Sequence, residues 1–221
     1  GHGERKAEDA QASSEAGLFA QTLRDKGLKV QSLSLVKTPR VPDNTSVLVI
    51  ASPGNAPLEG EVSLIKDYVE AGGNLLWLHD PESPASMDAL AAALGTKWQK
   101  GYVIDPVAQQ FGLPGGFYVP GDYPPSPITQ GFEQVTIFPL AGAVTTRNEN
   151  GWTAQPLLKT IEGSWLETGS LEGGVAFDPK DVQGPLTVGA FLTRSLKDAD
   201  GKAKPQRAVL IGDADFISNQ F

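Results

Sequence analysis

Asn74-Leu75-Leu76-Trp77-Leu78-His79-Asp80-Pro81 is the stretch that decides how this chain folds. Its apolar run is short and unbroken, as a buried strand requires, and it stops at an imidazole, a carboxylate and a proline. The same grammar returns near the other end, where Arg207-Ala208-Val209-Leu210-Ile211 runs into Gly212-Asp213-Ala214-Asp215. A third polar group, Gly1-His2-Gly3-Glu4, opens the sequence and reads as the loop leaving a preceding strand, or as the scar of a cleaved tag. In an open parallel α/β sheet the carboxyl ends of the strands share one edge, and ligand crevices open there. His2, Glu4, His79, Asp80, Asp213 and Asp215 are therefore the candidate residues for one ligand- or partner-binding cleft.

Outward from that stretch, the first 95 residues alternate between helical and extended patterns. Ala7 to Lys26 places Ala16, Phe19, Ala20 and Leu23 on one helical face, with Gly27 at the stop position. Leu28 to Leu35 then alternates as a strand, and Ser46 to Ala51 is a β-branched run of the kind expected of a central strand. Leu58, Val62, Ile65 and Val69 give a second helical stripe closed by Gly72-Gly73, and Met87 to Leu94 gives a third. This βαβα series implies an α/β fold of three layers with a mostly parallel sheet and right-handed crossovers.

Residues 102–180 depart from that rhythm. They are rich in Pro, Gly and aromatics and read as a loop- and β-rich insertion within a single α/β domain spanning 1–221. Leu186 to Leu192 and Ala208 to Ile211 return to core-strand character, with the charged run Lys197 to Lys204 between them as a hairpin tip or solvated loop.

Composition removes several functions. With 221 residues, 40% of them hydrophobic, the chain can bury a substantial core. Its net charge of −8 argues against nucleic acid, which is held mainly by clustered Lys and Arg. No apolar stretch approaches the roughly 20 residues needed to span a bilayer. There is no cysteine, hence no thiolate nucleophile and no Cys-ligated zinc. Ser52 stands at a strand end but lacks the glycines of a nucleophile elbow, and Pro53 after it is expected to hold it extended.

Two chemical readings stay open. The same His and Asp residues could hold a metal for hydrolysis, since two His plus a carboxylate with an open position is a known catalytic arrangement. Alternatively they orient a polar ligand or a partner loop without chemistry, while Tyr118, Tyr123, Trp152 and Trp165 offer stacking surfaces for peptide or glycan, or simply pack.

An ordered set of segments carries a family resemblance. Gly-His-Gly-Glu at the start, Val47 to Ile50 followed by Pro53, Ala71-Gly72-Gly73-Asn74 before Asp80-Pro81, Pro127-Ile128-Thr129, and Val209 to Phe216 together resemble the extracytoplasmic domain of gliding-motility-type ABC transporter auxiliary proteins. The resemblance implies a class-I glutamine-amidotransferase-like or flavodoxin-like fold without the catalytic cysteine, and no cofactor. It also implies partnership with ABC transporter membrane and ATPase subunits, and a place on the periplasmic face of a bacterial inner membrane through flanking helices. On that reading the chain is a non-catalytic auxiliary domain, with a metal-dependent hydrolase as the alternative.

Overall fold

The computed structural model describes residues 1–172, 174–197 and 200–221. Among them are four α-helices: α1 (Gly17–Asp25), α2 (Glu59–Glu70), α3 (Asp88–Ala93) and α4 (Pro106–Gln110). The strands in chain order are β1 (Leu48–Ala51), β2 (Leu75–Leu78), β3 (Thr96–Trp98), β4 (Tyr102–Ile104), β5 (Phe117–Tyr118) and β6 (Phe138–Pro139), followed by β7 (Val144–Thr146), β8 (Thr153–Lys159), β9 (Trp165–Glu167), β10 (Val182–Gln183), β11 (Thr187–Lys197) and β12 (Ala203–Ile211). No described helix is long and apolar enough to cross a membrane.

The main sheet has the order β1-β2-β12-β11-β8. Its first two pairings are parallel and its last two antiparallel. This overturns the expected three-layer, mostly parallel sheet of the glutamine-amidotransferase or flavodoxin kind. The cause is local: β11 and β12 are joined too closely for a crossover helix, so the chain doubles back as a hairpin in register from Gly189 opposite Ile211 to Lys197 opposite Ala203. The tip residues Asp198 and Ala199 of the expected charged loop lie outside the described residues. β8, from within the stretch 102–180, then pairs antiparallel to β11 and extends the sheet. Small antiparallel sheets, β10-β9-β4, β3-β7 and β5-β6, account for the other strands.

Three local expectations also change. Leu28 to Leu35 forms no ladder; Leu28 is 56% exposed, and only Leu35 of the alternating leucines packs on the first core cluster. Alternation supplies a side-chain pattern, but a strand also needs a neighbour to take its backbone bonds. The run Ser46 to Ala51 is an edge strand instead of a central one, and Val49 is 43% exposed in consequence. The first helix is nine residues, Gly17–Asp25, preceded by a wound loop that crosses itself at Gly17, where an added Cβ would stand 2.3 Å from the Asp9 carbonyl. Its N-terminus is capped from afar, since the Asn219 Oδ1 accepts the Leu18 N–H at 2.9 Å.

The sheet separates two apolar clusters. One face buries Trp77, Leu75, Ala208 and Leu210 beneath Val62, Ile65 and Val69 of α2 and Leu90 and Leu94 around α3. The other buries Leu78, Ile211 and Val188 against Ala16, Val103, Tyr118, Phe138 and Leu166. Each fully buried large side chain contributes about 2–3 kcal/mol of burial, and Trp77, Leu78 and Leu210 on the parallel strands β2 and β12 anchor the sheet to both clusters. The carboxyl ends of these strands define the polar rim.

Candidate functional site

Because β1, β2 and β12 run in parallel, the residues that follow them emerge side by side: Ser52, then His79-Asp80, then Gly212 to Asp215. Gly212 is held between two backbones, its N–H donating to the Val188 carbonyl at 2.8 Å and its carbonyl accepting from Gly142 N–H at 2.6 Å. A Cβ there would lie 2.2 Å from the Gly142 carbonyl oxygen, so only glycine permits this approach.

Three of the candidate residues meet. Asp80 Oδ1 accepts the Ala214 N–H at 2.6 Å, which ties the end of β2 to the loop after β12. Arg5 bridges the two: its guanidinium lies 3.5 Å from Asp80 Oδ2 and pairs with Asp215. It also donates to the Ser14 carbonyl at 2.6 Å, while its backbone N–H donates to the Ala51 carbonyl. Asp213 stands behind them, fully buried, with Oδ1 accepting the Asp215 N–H at 2.5 Å and Oδ2 without a partner. Burial, reinforced by the negative charges of Asp80 and Asp215, pushes its carboxyl up to about 8.

The other three lie apart from this group. Successive strand residues point to opposite faces, and His79 follows Trp77 to the α2 face, where its ring stacks on Trp98 at 4.5 Å and meets Trp77 edge-on at 5.9 Å. Burial holds its pKa down to about 4, and its Nδ1 has no partner. His2 turns to α2 and pairs with Glu61 at 2.7 Å, while the Glu4 carboxylate accepts the His2 backbone N–H at 2.6 Å. Among the described residues, no three His, Asp or Glu side chains form a group that could hold a metal ion. Of the aromatics considered as stacking surfaces, Tyr118 and Trp152 are core residues, 1% and 2% exposed.

A cleft of about 330 Å³ opens on the rim beside Arg5 and Asp80. Its remaining wall comes from Gly3, Ser14, Glu15, Ser52, Gly54, Glu82 and Ser83. Ser52 has φ +48°, the left-handed region, contrary to the extended conformation expected before Pro53. Its surroundings hold it there: the N–H donates to the Leu78 carbonyl at 3.0 Å, and Oγ accepts the Asp80 N–H at 3.1 Å and bonds Ser83 Oγ at 2.6 Å. Neither partner of the hydroxyl is a base. Arg5, Glu82 and Ser83 escaped the sequence reading; the clue available for Arg5 was that three carboxylates gathered at one rim require a cation, and it stands in the opening loop.

The fold and site thus define a mixed α/β domain with a charged, cleft-bearing rim and no cysteine nucleophile. The chain belongs to the family described as ABC-type uncharacterized transport system, whose profile matches residues 1–221. Membership gives it an auxiliary role in an ABC-type transport system. Among solved structures it is similar to the mmIFT52 N-terminal domain, with a TM-score of 0.60 and 14% identity over 93% of this chain and 82% of that one. That likeness is one of fold, and it sets the architecture apart from the flavodoxin-like expectation. No curated protein matches the sequence.

Proposed function

We propose that this chain is a non-catalytic, extracytoplasmic auxiliary domain of a bacterial ABC transport system of the gliding-motility type, and that it engages a partner subunit or a polar ligand through the rim formed by Asp80, Asp213, Asp215 and Arg5. The observation that carries this reading is the Arg5 bridge between Asp80 and Asp215, which gathers the opening loop and the ends of two strands around one open cleft. The Ser52 hydroxyl has no base beside it, and both imidazoles are engaged elsewhere, which supports binding over hydrolysis. On this reading flanking helices hold the domain at the periplasmic face of the inner membrane, beside the membrane and ATPase subunits of the transporter.

The test is co-purification of those subunits with the full-length protein in its own cells, comparing wild type with Asp80→Ala and with Glu82→Gln. Recovery falling at least about tenfold in either variant, with the fold intact by circular dichroism, supports the rim as the binding edge. Undiminished recovery in both overturns it.

A further inference from the structure

The cleft on the rim differs in kind from the two apolar clusters beneath it. Its side-chain lining is polar throughout: one guanidinium, three serine hydroxyls and the carboxylates of Glu15, Asp80 and Glu82. An apolar peptide side chain would find no apolar side chain to pack against there. An anion would meet three carboxylates and a single guanidinium already shared between Asp80 and Asp215. A cation would lie beside that same guanidinium, and the acidic groups are spoken for in part, since Glu82 accepts the Tyr102 hydroxyl at 2.6 Å and Glu15 pairs with Lys6 at 3.6 Å.

What the lining suits is a neutral molecule that both donates and accepts at every position. Carboxylates only accept and guanidinium only donates, whereas serine does both. A set of this composition is satisfied by an array of hydroxyl groups. One further feature points the same way. Ser52 is held in left-handed backbone with its hydroxyl 2.6 Å from that of Ser83, which presents a fixed hydroxyl pair at the cleft wall. The volume, about 330 Å³, lies at the small end of the about 300–1,000 Å³ usual for ligand pockets, enough for one or two sugar rings.

From this we infer that the rim cleft is a binding site for a neutral polyhydroxylated ligand of the saccharide class, contacted by Arg5, Ser52, Ser83 and Glu82. The inference rests on the rim being the binding edge and specifies what that edge takes.

The experiment titrates the intact chain with cellobiose, maltose and N,N′-diacetylchitobiose, and with glucosamine and glucuronic acid as charged counterparts, following backbone amide shifts by NMR. The expected result is saturable shifts at Ser52, Ser83 and Arg5 with at least one neutral disaccharide, weaker binding of both charged sugars, and about tenfold loss of affinity in Ser83→Ala and in Glu82→Gln. Both substituted residues are at the surface, Glu82 exposed and Ser83 half-buried, so the fold should survive. No saturable shift with any neutral disaccharide at tens of millimolar overturns the inference, as does binding that is unchanged in both variants or confined to a charged sugar. If the transporter subunits still depend on Asp80 while no saccharide binds, the saccharide site alone falls. If saccharide binds while the subunits ignore the rim, the partner-binding half of the proposed function falls and the site stands.

Discussion

Two buried polar clusters sit at opposite ends of the main sheet, and they are built on opposite principles. At the end away from the rim, Gln206 is 1% exposed with its whole amide in use. It donates to the carbonyls of Val69 at 2.7 Å and Gly73 at 2.5 Å, and accepts from Arg194 Nε at 2.5 Å. Arg194 adds a bond to the Val69 carbonyl at 2.8 Å and lies over the Trp152 ring at 4.4 Å. This cluster closes the carboxyl end of α2, whose last carbonyls have no partner within the helix. At the rim, Asp213 Oδ2 and Arg5 Nε are buried without partners, and so is His79 Nδ1 behind it on the α2 face of the sheet. A satisfied network fixes structure; an unsatisfied one keeps hydrogen-bonding capacity in reserve and couples the fold to pH.

The largest expected effect breaks the satisfied end. Gln206→Leu leaves the Gly73 carbonyl bare and strips Arg194 Nε of its acceptor, and should cost about 3 kcal/mol in urea unfolding. A loss below about 1 kcal/mol would mean that the two ends are not different in kind.

Next comes the pH profile of the unsatisfied end. Asp213, at about 8 in the fold against an ordinary 3.8, keeps its proton where the unfolded chain has lost it. Its stabilising contribution is complete below about 4 and is lost as pH rises through about 8. His79, at about 4 against 6.5, works the other way, adding stability as pH rises between those values. The two slopes are each at most about 1.4 kcal/mol per pH unit and opposite in sign. They offset one another between about pH 4 and 6.5 and leave a decline from 6.5 to 8. Asp213→Asn should abolish that decline and make the protein more stable than wild type at pH 8 by about 2 kcal/mol; His79→Phe should extend it down to pH 4. Parallel profiles for all three proteins, from thermal unfolding at each pH, would refute the assignment.

The smallest effect sharpens the comparison. Arg5→Ala removes a partly buried cation from two carboxylates and should cost about 1–2 kcal/mol near neutral pH. The loss should shrink as pH falls and Asp215, whose pKa burial raises, takes up its proton, measured again by urea unfolding.

How much of this was legible in the residues depended on the range of the interaction. The apolar runs around Leu75 to Leu78 and Ala208 to Ile211 and the stripe Leu58 to Val69 specify their own elements, because period and burial are local properties. That Asp80, Asp213 and Asp215 emerge side by side is legible for the same reason, since parallel neighbours must emerge together. Sheet order was not local: nothing in Ser46 to Ala51 says that β1 stands at an edge, and nothing in Thr153 to Lys159 announces a strand of the main sheet. His79 was misplaced because position along a strand was read without its parity, which sends it to the face opposite Asp80. Arg5 was missed because a single cation in an irregular loop has no pattern of its own.

Asn219 ties distant parts of the chain together. Besides capping α1 it donates to the carbonyls of Asp9 and Ala12, and its own N–H reaches the Glu15 carbonyl. With Asp215 on Arg5, the segment after β12 is laced to the first eighteen residues at the rim. Tension applied to either segment would be borne by this lacing before any strand of the sheet had to slide, so the cleft wall yields first. A pull on either segment would load the rim before it reached the apolar clusters on the two faces of the sheet.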